Sequence, residues 1–321
     1  MAFVDWAADL LEVTEADRLA NHAPLQFDLS VFDLYAAFRA GASVHLVPDR
    51  ATAGALVDFI DQKAISVWYS VPSALVLMME YGRMSDRELP ALRAVLFAGE
   101  VFPINPLRRL RQRRPGLTLV NLYGPTETNV CAFFPVGDIP ADQTSPVPIG
   151  SAACGDHLHV MRPDGSAAAV GEEGELVVEG PTVMMGYRGR RPQFGRYETG
   201  DMVRLRADGD LDYLGRRDRM VKVRGQRIEL GEIESVLCAV PGIVEAVVVV
   251  GGSGHRARLT GFLVSRDGEA VSSLSLRRHL SEVLPRHMIV DRFRWLDAMP
   301  RNANGKTDRQ YLQTAAEEES A

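Results

Sequence analysis

The amino-acid sequence predicts an α/β protein: a mostly parallel sheet with covering helices, then a β-rich stretch, then a small α+β domain. Three observations carry that expectation. Strand-like apolar runs alternate with helix-length segments as far as about residue 124, the order that builds parallel sheets. From about residue 145 the texture changes to short β-segments separated by turn residues, and after Gly225 helices and strands alternate again. A length of 321 residues suits about two domains.

Each element has its own signal. Residues 7–20 and 29–40 read as helices, and ASVHLVP (42–48) as a short buried strand. Next come a helix around 54–63, the strand ISVWYSV (65–71), a helix from Pro72 to about Tyr81 and the strand AVLFAG (94–99). A helix over 104–114 and the strand LTLVNLYG (117–124) follow. Ligands of such sheets gather at the C-terminal ends of the strands. The later β-segments include HLHVM, GELVVEG, VRLRADGDLDYLG and MVKVRG. Beyond Gly225, the helix ELGEIESVLCAV (229–240) leads to IVEAVVVVG, LTGFLVS, the helix LSLRRHLSEVL and the strand RFRWLDAM. The acidic end AAEEESA is expected to fray.

Composition narrows the function. With 46% apolar and 24% charged residues the chain is an ordinary globular one, which sets aside fibres and global disorder. A net charge of -6 argues against nucleic acid or an anionic membrane as the main partner, and the basic run RRLRQRR (108–114) is local. The most apolar runs, SALVLMM (73–79) and AVVVV (246–250), fall far short of the roughly 20 residues that cross a bilayer. Asp5 and Asp9 stand where a secretory signal carries Lys or Arg, so a cytoplasmic location is expected. Cys131, Cys154 and Cys238 are odd in number, widely spaced and without a C-x-x-C pair, so all three read as reduced thiols.

The most informative stretch is NLYGPTETNV (121–130), a turn after an apolar strand. Read alone, it is equally a strand-ending turn and a phosphate site. In the second reading Thr126 and Thr128 hydrogen-bond phosphate oxygens, Glu127 offers a hard oxygen ligand to magnesium, and Tyr123 stacks on a base. Further segments stand in a fixed order: FDLSVFDLY (27–35), GELVVEGPTVMMGY (174–187), YETGDMVR (197–204), GRRDRMVKVRGQRIELGEIE (215–234) and NANGKTDR (302–309). Together these six motifs resemble the adenylate-forming superfamily, and within it the amino-acid adenylation enzymes of nonribosomal peptide assembly.

That resemblance implies a fold, a reaction and a set of residues. The fold is the adenylate-forming one: a partial large domain over 1–216 with a β-rich subdomain at 144–216, a hinge at 217–218, a small mobile domain over 219–312 and a tail at 313–321. The reaction uses ATP and Mg2+ to make an aminoacyl adenylate, then passes the acyl group to the thiol of a phosphopantetheinylated peptidyl carrier protein. Tyr123 is expected on the adenine with Asn121 near its edge, and Gly124, Gly99 and Glu100 beside the nucleotide. Thr126 is expected on the α-phosphate, Glu127 on magnesium, and Asp201 on both ribose hydroxyls with Arg216 close by. Lys306 reaches the substrate carboxylate and bridging oxygen, His22 lies near the carboxylate and thiol entrance, Asp218 is the hinge, and Gly225 lines the thiol tunnel. Taken singly, Asp201 can be a turn residue and Gly225 a hairpin turn, whereas Asp218 reads first as an ion-pair partner, Lys306 as a solvated loop lysine and His22 as a packed strand-end histidine. Jointly they supply the parts of nucleotidyl transfer, which is positioning and charge stabilisation and needs no protein nucleophile.

By the same resemblance Asp28, Leu29, Phe32, Tyr69, Leu96, Ala98, Leu122, Val130 and Cys131 line the substrate pocket. A carboxylate at Asp28 favours an α-amino acid over an acid that would leave that charge unpaired. The other walls suit a compact apolar or cyclic side chain. The set is similar to that of the stand-alone ligases that load L-proline onto a carrier protein, departing at Phe32, where leucine is expected. Ligases for D-alanine or another small amino acid remain an alternative. The Ser/Thr/Gly-rich lysine loop expected upstream of FDLS is not in the sequence. Two explanations stay open: a truncated ligase, whose activity in isolation is then open, or a non-catalytic remnant that binds a carrier protein or complements a partner.

Overall fold

The computed structural model describes residues 1–48, 51–190, 192, 194–216, 220–223, 226–251, 258–266 and 268–318. The chain divides into two compact units. The first holds Met1–Phe102, Pro106–Gln143 and Val147–Tyr213; the second holds Leu214–Ala321 with Pro103–Asn105 and Thr144–Pro146.

In the first unit the order is α1 (Ala2–Leu10), β1 (Arg18–Asn21), α2 (Leu29–Ala40), β2 (Ser43–Leu46), α3 (Ala53–Gln62), β3 (Val67–Ser70), α4 (Pro72–Glu80) and β4 (Ala94–Ala98). Then come α5 (Ile104–Arg113), β5 (Thr118–Tyr123), β6 (Ala132–Pro135) and β7 (Ser151–Ala152). The seven strands form one sheet in the order β2-β1-β3-β4-β5-β6-β7. The first five pair in parallel, and β6 and β7 add antiparallel strands that the sequence reading did not include.

Two expectations are corrected at the N-terminus. The helix expected over 7–20 is α1, and it stops because Glu12 takes a left-handed φ of 49°. Residues 18–21 are instead a strand inside the sheet, with Leu19 and Ala20 fully buried. Asp17, just before β1, accepts hydrogen bonds from Arg93 at 2.8 and 2.9 Å and from Ser66 at 2.7 Å. Burial opposes its charge, but these bonds and one from the Thr14 amide outweigh burial and hold the carboxyl at about 2. The Arg93 guanidinium also caps the end of α1 through the Leu11 carbonyl at 2.7 Å. β2, expected to be buried, is a half-exposed edge strand.

The basic run on α5 has a structural use. Arg108 donates to the Pro140 and Gln143 carbonyls, Arg109 pairs with Glu80, Arg111 donates to the Leu117 carbonyl, and Arg114 donates to those of Arg87 and Leu89. These arginines staple loops rather than present a free basic face.

The first unit continues into a four-stranded sheet, ordered β11-β10-β9-β8, of β8 (His157–Met161), β9 (Glu173–Glu179), β10 (Arg196–Leu205) and β11 (Leu211–Arg216), the last of which runs past Tyr213 into the second unit. Cys131, Ile149, Val160, Leu176, Val178, Val203 and Leu211 form its core.

The second unit has a hairpin of β12 (Met220–Val223) and β13 (Gln226–Glu229), then α6 (Leu230–Cys238), β14 (Ile243–Gly251), β15 (Arg258–Ser265), α7 (Ser273–Val283), a 3-10 turn, β16 (Arg292–Trp295) and α8 (Arg309–Glu318). Its sheet order is β14-β15-β16. Side-chain alternation splits β14 between two cores: Ala246 and Val248 pack with α6 and α7, whereas Val247 and Val249 pack with Leu312 and Ala316 of α8. The acidic end expected to fray is therefore helical to Glu318, because Leu312 and Ala316, four apart, share one buried face. Among the described residues no helix is long and apolar enough to cross a membrane.

Candidate active site

Parallel strands β3, β4 and β5 place alternate residues on one face, so Tyr69, Leu96, Ala98 and Leu122 point the same way. Leu29 and Phe32 of α2 meet them, and all six share one apolar cluster with Val130. Phe32 sits edge-on to Tyr69, with ring centroids 5.9 Å apart and planes at 84°. Asp28 occupies the N-cap position of α2, half-buried, where the helix end favours a negative charge. Its charge is felt at Tyr69, whose hydroxyl is pushed well up by burial first and by Asp28 and Asp33 next.

Cys131 separates from this wall. Its side chain packs in the core of the second sheet, and burial pushes its thiol up to about 12. Val130 and Cys131 are adjacent just before β6 and pack in different clusters.

Asp33, to which the sequence reading gave no role, is 1% exposed behind this wall and accepts a hydrogen bond from Asn21 Nδ2 at 3.2 Å. Burial raises its pKa well above the usual carboxyl range. His22 follows β1 and stacks on Trp68 at 5.1 Å, and burial lowers its pKa, which keeps the ring neutral.

The turn after β5 is tightly closed. Thr128 N donates to the Pro125 carbonyl at 2.9 Å, and Cys131 N donates to that of Tyr123 at 2.9 Å. Thr128 is fully buried with its hydroxyl on the Pro125 carbonyl at 3.2 Å, so it does not face a phosphate; Thr126 is exposed. A Cβ at Gly124 would lie 1.6 Å from the Asn129 carbonyl oxygen. Gly124→Ala is therefore expected to destabilise the first unit by about 3 kcal/mol. An unchanged urea midpoint would show that the turn can open without cost.

Around this turn the polar side chains pair. Tyr123 donates its hydroxyl to Asp201 Oδ2 at 2.5 Å; burial, then Asp201, pushes that hydroxyl well up, so the proton stays on the tyrosine. Asp201 lies where β10 bulges between Glu198 and Met202, and its amide donates to Thr199 Oγ1 at 3.0 Å. The bulge turns the Thr-Gly-Asp step out of register and re-aims the carboxylate, a common device beside functional sites. Tyr187 donates to Glu127 Oε1 at 2.5 Å, and Tyr197 bonds to the same pair. The Glu127 hydrogen bond raises the Tyr187 pKa, and burial followed by Glu127 raises that of Tyr197. Neither tyrosine had been given a role, although Tyr187 ends GPTVMMGY and Tyr197 opens YETGD. Asn121 donates its Nδ2 to the Pro148 carbonyl at 2.8 Å. Gly99 takes a φ of 87° after β4, and Glu100 accepts from Ser73 N at 3.0 Å in the first turn of α4.

Arg216 and Lys306 belong to the second unit, both half-exposed. Asp218 and Gly225 lie outside the described residues. Among the described residues no group of three or more His, Cys, Asp or Glu is placed to hold a metal. A separate cleft lined by Met79, Glu80, Arg83, Ser85, Asp86, Arg109 and Arg113 opens where α4 and α5 end.

Residues 1–188 match the model of the AMP-binding enzyme family, and residues 232–306 match that of the AMP-binding enzyme C-terminal domain. An L-proline--[L-prolyl-carrier protein] ligase of Pseudomonas fluorescens is 54% identical over 311 residues, covering 96% of this chain and 62% of the relative. Its Streptomyces coelicolor counterpart is 45% identical, covering 97% and 60%. The crystal structure of IdnL7 matches with a TM-score of 0.84 at 34% identity, covering 99% of this chain and 64% of that one. The chain thus spans about three-fifths of the length of the curated relatives it matches.

Proposed function

Because the chain belongs to the family of AMP-binding enzymes, we propose that it activates L-proline with ATP as the aminoacyl adenylate and passes the prolyl group to the phosphopantetheine thiol of a peptidyl carrier protein as AMP leaves. The observation that carries this reading is the wall of Leu29, Phe32, Tyr69, Leu96, Ala98, Leu122 and Val130 with one carboxylate, Asp28, at its helix end. An apolar wall with a single negative charge suits a compact cyclic amino acid. The substrate's ammonium pairs with Asp28, and its carboxylate oxygen attacks the α-phosphorus as pyrophosphate leaves. Lys306 stabilises the charge that builds on the bridging oxygen, and Thr126 holds the α-phosphate. Asp201 accepts from the ribose hydroxyls, and Tyr123 supplies the adenine platform. Asn121, Gly124, Gly99, Glu100 and Arg216 line the nucleotide, and His22 borders the entrance. Asp218 is the hinge about which the C-terminal domain swings, and Gly225 lines the path of the thiol.

Glu127 fits magnesium: it is a hard carboxylate on a hydroxyl-bearing turn, and Mg2+ is commonly held by one or two carboxylates with substrate phosphates and water. When bound, the ion neutralises phosphate charge. The Tyr187 and Tyr197 hydroxyls hold the carboxylate in place. A cytoplasmic location, with no nucleic-acid or membrane partner, accords with the acidic chain.

The test is amino-acid-dependent exchange of labelled pyrophosphate into ATP by the 321-residue chain. Exchange with L-proline is expected to exceed that with D-alanine or glycine by at least about tenfold. Exchange with another amino acid alone would overturn the pocket assignment. No exchange from folded protein would overturn activity of this chain by itself and leave a part of a longer ligase or a carrier-binding remnant as the two readings.

A further inference from the structure

The loop that carries Lys306 is closed largely by one side chain. Asn302 Oδ1 accepts hydrogen bonds from the backbone amides of Asn304 at 3.0 Å and Lys306 at 3.1 Å. The Asn302 backbone completes the ring: its amide donates to the Lys306 carbonyl at 2.8 Å, and its carbonyl accepts from Gly305 N at 2.9 Å. Gly305 takes a φ of 76°, which a side chain would resist. Asparagine suits this task because its short amide reaches its own backbone two residues on, and here four residues on as well.

Both ends of the loop are tied to the core of the second unit. Arg301 donates to Thr307 Oγ1 at 2.9 Å and pairs with Glu245 of β14. Arg309 makes two bonds of 2.7 Å to Glu234 of α6, and Asp308 caps α8 by accepting from Tyr311 N at 3.0 Å. Residues 302–305 themselves are exposed, so packing does not shape them and local hydrogen bonds must. A loop formed in advance does not have to be ordered at the moment of reaction.

The geometry points to Asn302 as a positioning residue that presets the Lys306 loop for adenylate formation. This rests on the role proposed for Lys306. Asn302 touches no reacting atom; it acts through the backbone of the lysine.

Three variants of the 321-residue chain test it: Asn302→Ala, Asn302→Asp and Lys306→Ala. The first measurement, tryptic cleavage after Lys306 in the folded chain, needs no activity. Asn302→Ala is expected to speed it about tenfold by removing two hydrogen bonds. Asn302→Asp, which keeps the acceptor, is expected to stay within about twofold. The second measurement is kinetic. In pyrophosphate exchange Asn302→Ala is expected to lower kcat about tenfold with both KM values within about twofold, and Asn302→Asp to restore most of the loss. Transfer from supplied aminoacyl adenylate to a carrier protein is expected to be unchanged. Equal cleavage of the parent and Asn302→Ala overturns the proposal whether or not the chain exchanges pyrophosphate. So does parental exchange by Asn302→Ala where Lys306→Ala has lost it. If Lys306→Ala keeps full exchange, the role of the lysine fails instead, and cleavage still decides whether Asn302 shapes the loop.

Discussion

Lys306→Ala is expected to lower amino-acid-dependent pyrophosphate exchange by about two to three orders of magnitude, the loss typical when one pre-positioned donor to a developing negative charge is removed. When the carboxylate attacks ATP, charge accumulates on the substrate carboxylate, the bridging oxygen and the departing pyrophosphate. A single ammonium placed there counts for more in the transition state than in the ground state, so kcat falls and KM moves little. The side chain is half-exposed on a loop and outside the apolar clusters, so stability is expected to change by no more than about 0.5 kcal/mol. Transfer from supplied aminoacyl adenylate to a carrier protein is expected to survive, because the proposed domain swing removes the lysine before the thiol arrives. Exchange within about threefold of the parent would remove Lys306 from the mechanism.

How much of this was readable beforehand follows from where the information sits. Helix α2, strands β3, β4 and β5 and helices α4 and α5 fall within a few residues of expectation, because each carries its own period. β1 was hidden because Arg-Leu-Ala-Asn is short and helix-favouring, and only pairing with β2 and β3 makes it a strand. α8 was hidden by the opposite error: acidic composition masked the spacing of Leu312 and Ala316.

The site divides the same way. Tyr69, Leu96, Ala98 and Leu122 share a face because strand alternation fixes it, whereas Cys131, next to Val130 and just before β6, packs in the other core. The ties of Glu127 to Tyr187 and of Tyr123 to Asp201 join residues far apart in the chain, which no local pattern encodes. Asn302 was visible as a letter in NANGKTDR, but its four hydrogen bonds were not.

The other large effect is expected at Asp28. Its neighbours are buried groups in which charge is disfavoured, so Asp28 is the carboxylate placed to meet an ammonium. Burial raises the pKa of Asp33 well above the usual carboxyl range and pushes the Tyr69 hydroxyl well up, which disfavours a second charge beside Asp28. Asp28→Ala is therefore expected to raise KM for L-proline about a hundredfold, the loss that follows when one partner of a partly buried charge pair is deleted. Selectivity should fall with it: the parent prefers L-proline to cyclopentanecarboxylate, which has the same ring and no ammonium, and the variant should treat the two alike. Asp33→Asn is the control, because an amide of the same shape can still accept from Asn21. If Asp28→Ala keeps the parental preference while Asp33→Asn loses it, the charge that reads the ammonium belongs to Asp33, and the helix-end carboxylate has been given the wrong role.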